Sequence, residues 1–169
     1  MTARERVDLS RCTNDTQREE VQAVLKDGFA IVKVLGSDEP PLPQWAYTVG
    51  LWHSYQHPEV LIIGLDHEMT QILLGNVAIR IREKGLSFRD EAVWDDVIEG
   101  FDCFFKDIPC DVDVEWMIAN CWFYDTNEFP AVQMLWPTVR GVYPWQNEAD
   151  PFFRWNQPVL SSIPKRFYS

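Results

Sequence analysis

The run "HPEVLIIGL" at residues 57–65 constrains this chain more than any other stretch. From Val60 to Ile63 it is apolar at consecutive positions, so a strand there carries apolar side chains on both of its faces. Such a strand is expected at the centre of a sheet, with a covering layer on each side. The rest of the sequence must therefore supply two layers and the neighbouring strands.

Several segments fit that demand. "GFAIVKVL" reads as a strand, and the Pro-rich "GSDEPPLPQ" after it as a surface loop, because three prolines do not fit a central strand. "WAYTVGL" alternates, with Trp45, Tyr47, Val49 and Leu51 on one face and Ala46, Thr48 and Gly50 on the other. "FDCFFKDI" and "FPAVQMLWP" read as further strands, the second with Val132, Met134 and Trp136 on one face and Gln133 and Leu135 on the other. "EAVWDDVIEG" fits either a helical turn or an extended piece.

Helices are expected at three places. Thr16-x-x-Glu19 has the form of a capping box ahead of Val21, Val24 and Leu25, with Gly28 as the stop. Asp66 is placed to cap a helix over 67–84, whose apolar residues are Met69, Ile72, Leu73, Leu74, Val77, Ala78 and Ile81. Asp113 opens a third, with Val114, Met117, Ile118, Cys121 and Trp122 as its stripe. The irregular alternation predicts an α+β domain over 13–169, with a mostly antiparallel sheet of about five strands and about three helices. A flexible arm over 1–12 precedes it, and an extended tail rich in Pro and aromatics follows Pro137. At 169 residues and 46% hydrophobic, the chain can bury a core without disulfide or metal staples.

Charge and cysteine usage narrow the partners. A net charge of −11 argues against nucleic acid and anionic membranes and would steer a basic protein or a cationic ligand; the partner expected is a small molecule or a basic protein. Four scattered cysteines without CxxC spacing, no signal-peptide run and no long apolar span predict a cytoplasmic protein with reduced thiols. No glycine-rich phosphate loop and no zinc motif occurs, so no cofactor is expected. His53, His57 and His67 are weak metal candidates, since Pro58 disfavours the helix that would set the first two on one face. No G-x-S-x-G elbow is present, and no cysteine neighbours His53 or His57 in sequence, so nothing supports a nucleophilic triad. The acidic runs around Asp95–Asp102 and Asp107–Glu115 read as solvated faces or helix starts.

The blocks "GFAIVKV", "YTVGLWHSYQHPEV" with "IIGL", "FPAVQMLWP" and "GVYPW" resemble a bacterial family catalogued as domain-of-unknown-function family 4262. The likeness rests on Tyr47, Thr48, Gly50 and Leu51, then His57, Pro58 and Glu59, then Gln133, Trp136 and Pro137. Thr138 stands where members often carry an acid. The resemblance implies no established activity, but it selects the same residues as the site. A buried Gln133 needs polar partners, and Tyr47, Thr48, His57 or Glu59 are expected to supply them. The resulting expectation is a binding or regulatory module with a pocket walled by Tyr47, Trp136 and Trp145 and polar contacts from Thr48, His57, Glu59 and Gln133. The alternative is an enzyme in which His57 acts as general acid or base and Glu59 orients it, of hydrolase type or dependent on flavin or metal.

Overall fold

The computed structural model describes residues 9–168; residues 1–8 of the expected N-terminal arm lie outside them. Leu9–Arg11 form a 3-10 turn, and Arg11 donates to the carbonyl oxygens of Trp122 (3.0 Å) and Phe123.

Helix α1 spans Asp15–Asp27. Its cap is Asn14, two residues upstream of the expected Thr16: the Asn14 Oδ1 accepts from the Gln17 amide at 2.8 Å, and the Gln17 side chain accepts from the Thr13 amide. Asn is the stronger cap residue; Asn14 caps the helix, Gln17 accepts from the preceding Thr13 amide, and Thr16 lies inside the helix. Val21 and Val24 are buried, while Leu25 faces solvent. Gly28 ends the helix at φ +91°, where a Cβ would strike the Tyr55 hydroxyl.

The strands that follow are β1 (Ala30–Val34), the two short strands β2 (Ser37–Asp38) and β3 (Pro41–Leu42) of the Pro-rich loop, and β4 (Trp45–Val49). A short helix α2 (Leu51–Tyr55) leads to β5 (Glu59–Ile63), then α3 (His67–Lys84), β6 (Val93–Ile98) and β7 (Phe101–Asp107). After these come α4 (Asp113–Trp116), α5 (Ile118–Tyr124), β8 (Ala131–Leu135) and α6 (Pro151–Asn156). The main sheet has six strands in the order β1-β4-β5-β8-β7-β6. Every pairing is antiparallel except β5 with β8, which run parallel at the centre. The sheet is thus mixed and one strand wider than expected, because "VWDDVI" is extended despite its two acids.

The central strand behaves as its sequence demands. Val60 and Ile62 join α3 in one core, with Leu74, Val77, Phe88, Phe105 and Met134. Leu61 and Ile63 join α1 and α5 in the other, with Val24, Val49, Met117, Phe123 and Phe129. Each such fully buried aliphatic side chain contributes about 1.5–3 kcal/mol of transfer free energy, so both layers matter to stability.

Two helices depart from expectation. In α3, capped by Asp66 at 2.8 Å from the Met69 amide, the buried face runs Thr70, Leu73, Leu74, Val77, Ala78 and Ile81; Met69 and Ile72 are exposed. The third helix breaks at Met117, which leaves the helical region at φ −132°, ψ 52°. The break has a cause. The Trp45 indole N–H donates to the Trp116 carbonyl at 2.8 Å, and the Tyr47 hydroxyl accepts from the Ala119 amide at 3.1 Å. Side chains of β4 thus occupy backbone groups freed at the break. It also changes the buried face to Met117, Asn120, Phe123 and Tyr124, leaving Val114 and Ile118 exposed.

The C-terminal tail is not wholly extended. Asp150 caps α6 with Pro151 at its first position, a start signal that the aromatic run around it obscured. No helix among the described residues is long and apolar enough to cross a membrane.

Candidate functional site

The junction β4–α2–β5 gathers the buried polar side chains of Thr48, His57 and Glu59. Gly50, at φ +106°, begins α2 and has no side chain with which to cap it. Its first amides are capped from elsewhere in the fold. The Glu59 carboxyl accepts from the Trp52 amide at 3.0 Å and receives a further backbone bond from Leu51. The Tyr124 hydroxyl accepts from the His53 amide at 3.2 Å and takes a backbone bond from Gly50. Tyr124 then donates its own proton to Glu59 Oε1 at 3.2 Å, while Thr48 Oγ1 lies 3.2 Å from Glu59 Oε2 and accepts from the Val60 amide at 2.9 Å. All the amides left unpaired at a helix start are satisfied in this way.

Glu59 is completely buried. Burial pushes its carboxyl up to about 8, against the pull of the Trp52, Tyr124, Thr48 and Leu51 bonds. A protonated Glu59 can donate to Thr48 Oγ1, so the same atoms hold either form. Burial and the neighbouring Glu59 also push the Tyr124 hydroxyl far above its ordinary range.

His57 belongs to a different network. Its Nδ1 lies 2.7 Å from the Pro58 carbonyl and its Nε2 2.8 Å from the Phe88 amide. A carbonyl only accepts and an amide only donates, so the ring is neutral, with its proton on Nδ1. Burial lowers its pKa to about 4 despite the Pro58 bond. The ring pins the loop ahead of β6 to the start of β5. Both nitrogens are engaged, so His57 makes no hydrogen bond to Glu59 of the kind the enzyme alternative requires.

Gln133 finds partners that the sequence did not suggest. Its amide donates to the Pro158 carbonyl at 2.8 Å and accepts from the Leu160 amide at 3.0 Å, clamping the tail against β8. The three expected ring walls are likewise apart. Tyr47 borders a cleft with Glu20, Ala119 and Trp122; Trp136 borders one with Met69 and Phe101; Trp145 borders one with Arg154 and Tyr168. Trp145 stacks on Tyr143 at 4.5 Å and 12°, and its indole N–H donates to the Phe167 carbonyl. A single pocket walled by Tyr47, Trp136 and Trp145 is therefore not formed, because each ring is held by a different element.

The histidines also separate. His53 lies in α2 with its ring edge-on to Phe123, His57 precedes β5, and His67 begins α3 with Nε2 3.2 Å from the Val34 carbonyl. Pro58 did not prevent the helix; Gln56, at φ +55°, ends α2 before the proline acts. Among the described residues no group of three or more His, Cys, Asp or Glu side chains is placed to hold a metal ion. Sequence reasoning missed Tyr124, Phe88 and Asn120, whose side-chain amide donates to the Thr48 carbonyl at 2.9 Å. The shifted phase of α5 hid two of them, and the Phe88 contribution is a backbone amide, which no side-chain pattern reveals.

No curated protein and no solved structure matches this chain. The family model described as Domain of unknown function (DUF4262) matches residues 23–150, a stretch that holds the α2 cap, the His57 clip, Gln133 and the Trp136 cleft. The chain belongs to that family.

Proposed function

We propose that this protein is a binding module that takes a small, mostly apolar molecule in the cleft beside Trp136. The observation that carries this reading is a concave apolar surface built around a ring that is already fixed. The cleft holds about 330 Å³ and is bordered by Leu65, Met69, Ile98, Phe101, Trp136 and Pro137, with Thr138 and Val139 at one wall. That volume lies at the small end of ligand sites, which are largely apolar with a few polar groups. Thr138 supplies a hydroxyl, although it already accepts from the Val142 amide at 3.2 Å.

Preorganisation supports the reading further. The Trp136 indole N–H donates to the Ile63 carbonyl at 3.1 Å, and its backbone N–H and C=O are both bonded to the Gln157 amide at 2.9 Å. A ring held this way loses little freedom when a ligand arrives. Acid–base catalysis by His57 and Glu59 would require substrate to reach groups that are buried and bonded inward. Four free cysteines support a cytoplasmic location.

Ligand-observed NMR with indole, 2-naphthol and decanoate tests the proposal. Saturable binding of at least one probe is expected, weakened at least about tenfold by Met69→Trp, which fills the cleft mouth. No saturable binding by any of the three, or binding indifferent to Met69→Trp, overturns it.

A further inference from the structure

Among the described residues the main sheet has two open edges, β1 and β6, and they differ. At β6 the register shifts between Trp94 and Ile98, and Arg80 covers the strand, donating to the Asp96 carbonyl at 3.1 Å and to its carboxylate at 2.9 Å. Irregularity and charge are how sheets keep an edge from pairing. The β1 edge has an unbroken register from Ala30↔Val49 to Val34↔Trp45, with Lys33 as its one charged side chain.

The direction of its free groups follows from the neighbouring ladder. The Gly64 amide donates to the Gln44 carbonyl, so even-numbered residues of β4 bond toward β5 and odd-numbered ones toward β1. Ala30, Val32 and Val34 therefore bond inward, and the N–H and C=O of Ile31 and Lys33 point away from the sheet. They open on a cleft of about 520 Å³ that runs between α1 and α3, the helices on opposite faces. Its α1 wall carries Glu19, Glu20 and Asp27, none of which forms an ion pair among the described residues. Burial raises the Glu20 carboxyl, a shift that a nearby cation would relieve.

We propose that β1 accepts an extended basic segment of a partner protein as a seventh strand, with backbone bonds to Ile31 and Lys33 and its cations against Glu19, Glu20 and Asp27. Alternate residues of a strand face opposite sides, so cations at every second position all meet α1 and the residues between them meet α3. A second copy of this chain is the poorer occupant, because two-fold pairing of β1 edges brings two sets of these acids together on one face.

The test uses a labelled heptapeptide, Lys-Val-Lys-Val-Lys-Val-Lys, with fluorescence anisotropy as the readout. It is expected to bind saturably at low salt, and the Glu-Val counterpart is not. N-methylation of one alternate set of amides is expected to weaken binding at least about tenfold and methylation of the other set to leave it nearly unchanged, as only strand addition requires. Lys33→Pro removes an outward amide without touching the β4 ladder and should weaken binding similarly; Glu19→Gln with Glu20→Gln should reduce its salt dependence. Circular dichroism checks that the variants fold. No binding by the Lys-Val peptide, equal tolerance of both methylation patterns, or indifference to Lys33→Pro overturns the proposal. So does sedimentation showing a dimer that Lys33→Pro dissociates.

Discussion

Glu59 and Tyr124, 65 positions apart, meet at 3.2 Å and between them cap the N-terminus of α2. That helix has no local cap, so its start depends on two other elements being in place. The β4–α2–β5 junction is accordingly tertiary in origin, and its disruption should be felt across the core.

Tyr124→Phe removes one hydroxyl that accepts from the His53 and Gly50 amides. A loss of about 1–3 kcal/mol in unfolding free energy is expected from urea denaturation. Glu59→Gln keeps the volume and leaves its carbonyl oxygen to accept from the Trp52 N–H, with the NH2 set against Thr48 Oγ1. The double variant should lose less than the sum of the single losses, since the two groups share one network.

Stability should depend on pH through two opposed groups. The folded pKa of Glu59 is raised from 4.5 to about 8, so its contribution is full below 4.5 and is lost as pH rises toward 8. That of His57 is lowered from 6.5 to about 4, so its contribution is full above 6.5 and is lost as pH falls toward 4. The two slopes oppose each other between 4.5 and 6.5, and Glu59 acts alone from 6.5 to 8. Thermal melts across this range should show Glu59→Gln remaining more level than the parent above 6.5. Equal slopes there would rule Glu59 out as the source.

His57→Ala takes the acceptor away from the Phe88 amide. Hydrogen exchange at Phe88 should accelerate, and stability should fall by about 1–3 kcal/mol. An unchanged Phe88 exchange rate would contradict the assigned clip.

Gln133→Leu removes both bonds to the tail at Pro158 and Leu160. Trypsin cleavage after Lys165 and Arg166 should then accelerate by about tenfold, corresponding to about 1.4 kcal/mol of lost local protection. Cleavage at the parent rate would show that contacts nearer the end, such as the Trp145 indole bond to the Phe167 carbonyl, hold the tail.

The sequence reveals most where one physical signal dominates. The apolar run Val60 to Ile63 points to a sheet centre and Asp66 to the start of α3, and both stand there. It reveals less where a helix is set by distant side chains. Nothing near Met117 indicates that Trp45 and Tyr47 interrupt the helix, and that interruption turned Tyr124 inward. Tyr47, Thr48, His57, Glu59 and Gln133 are buried and bonded. Their partners were backbone groups more often than one another, which is why Gln133, His57 and Glu59 fell into separate networks.

The parallel pairing of β5 with β8 has a consequence for synthesis. A chain made from its N-terminus completes β1, β4 and β5 while residues 64–130 are still to come, and β8 only afterwards. Until then β5 offers one bare, apolar edge at what will become the middle of the sheet. Nascent chains stalled before Ala131 should therefore engage holding chaperones, and those extended past Leu135 should let them go.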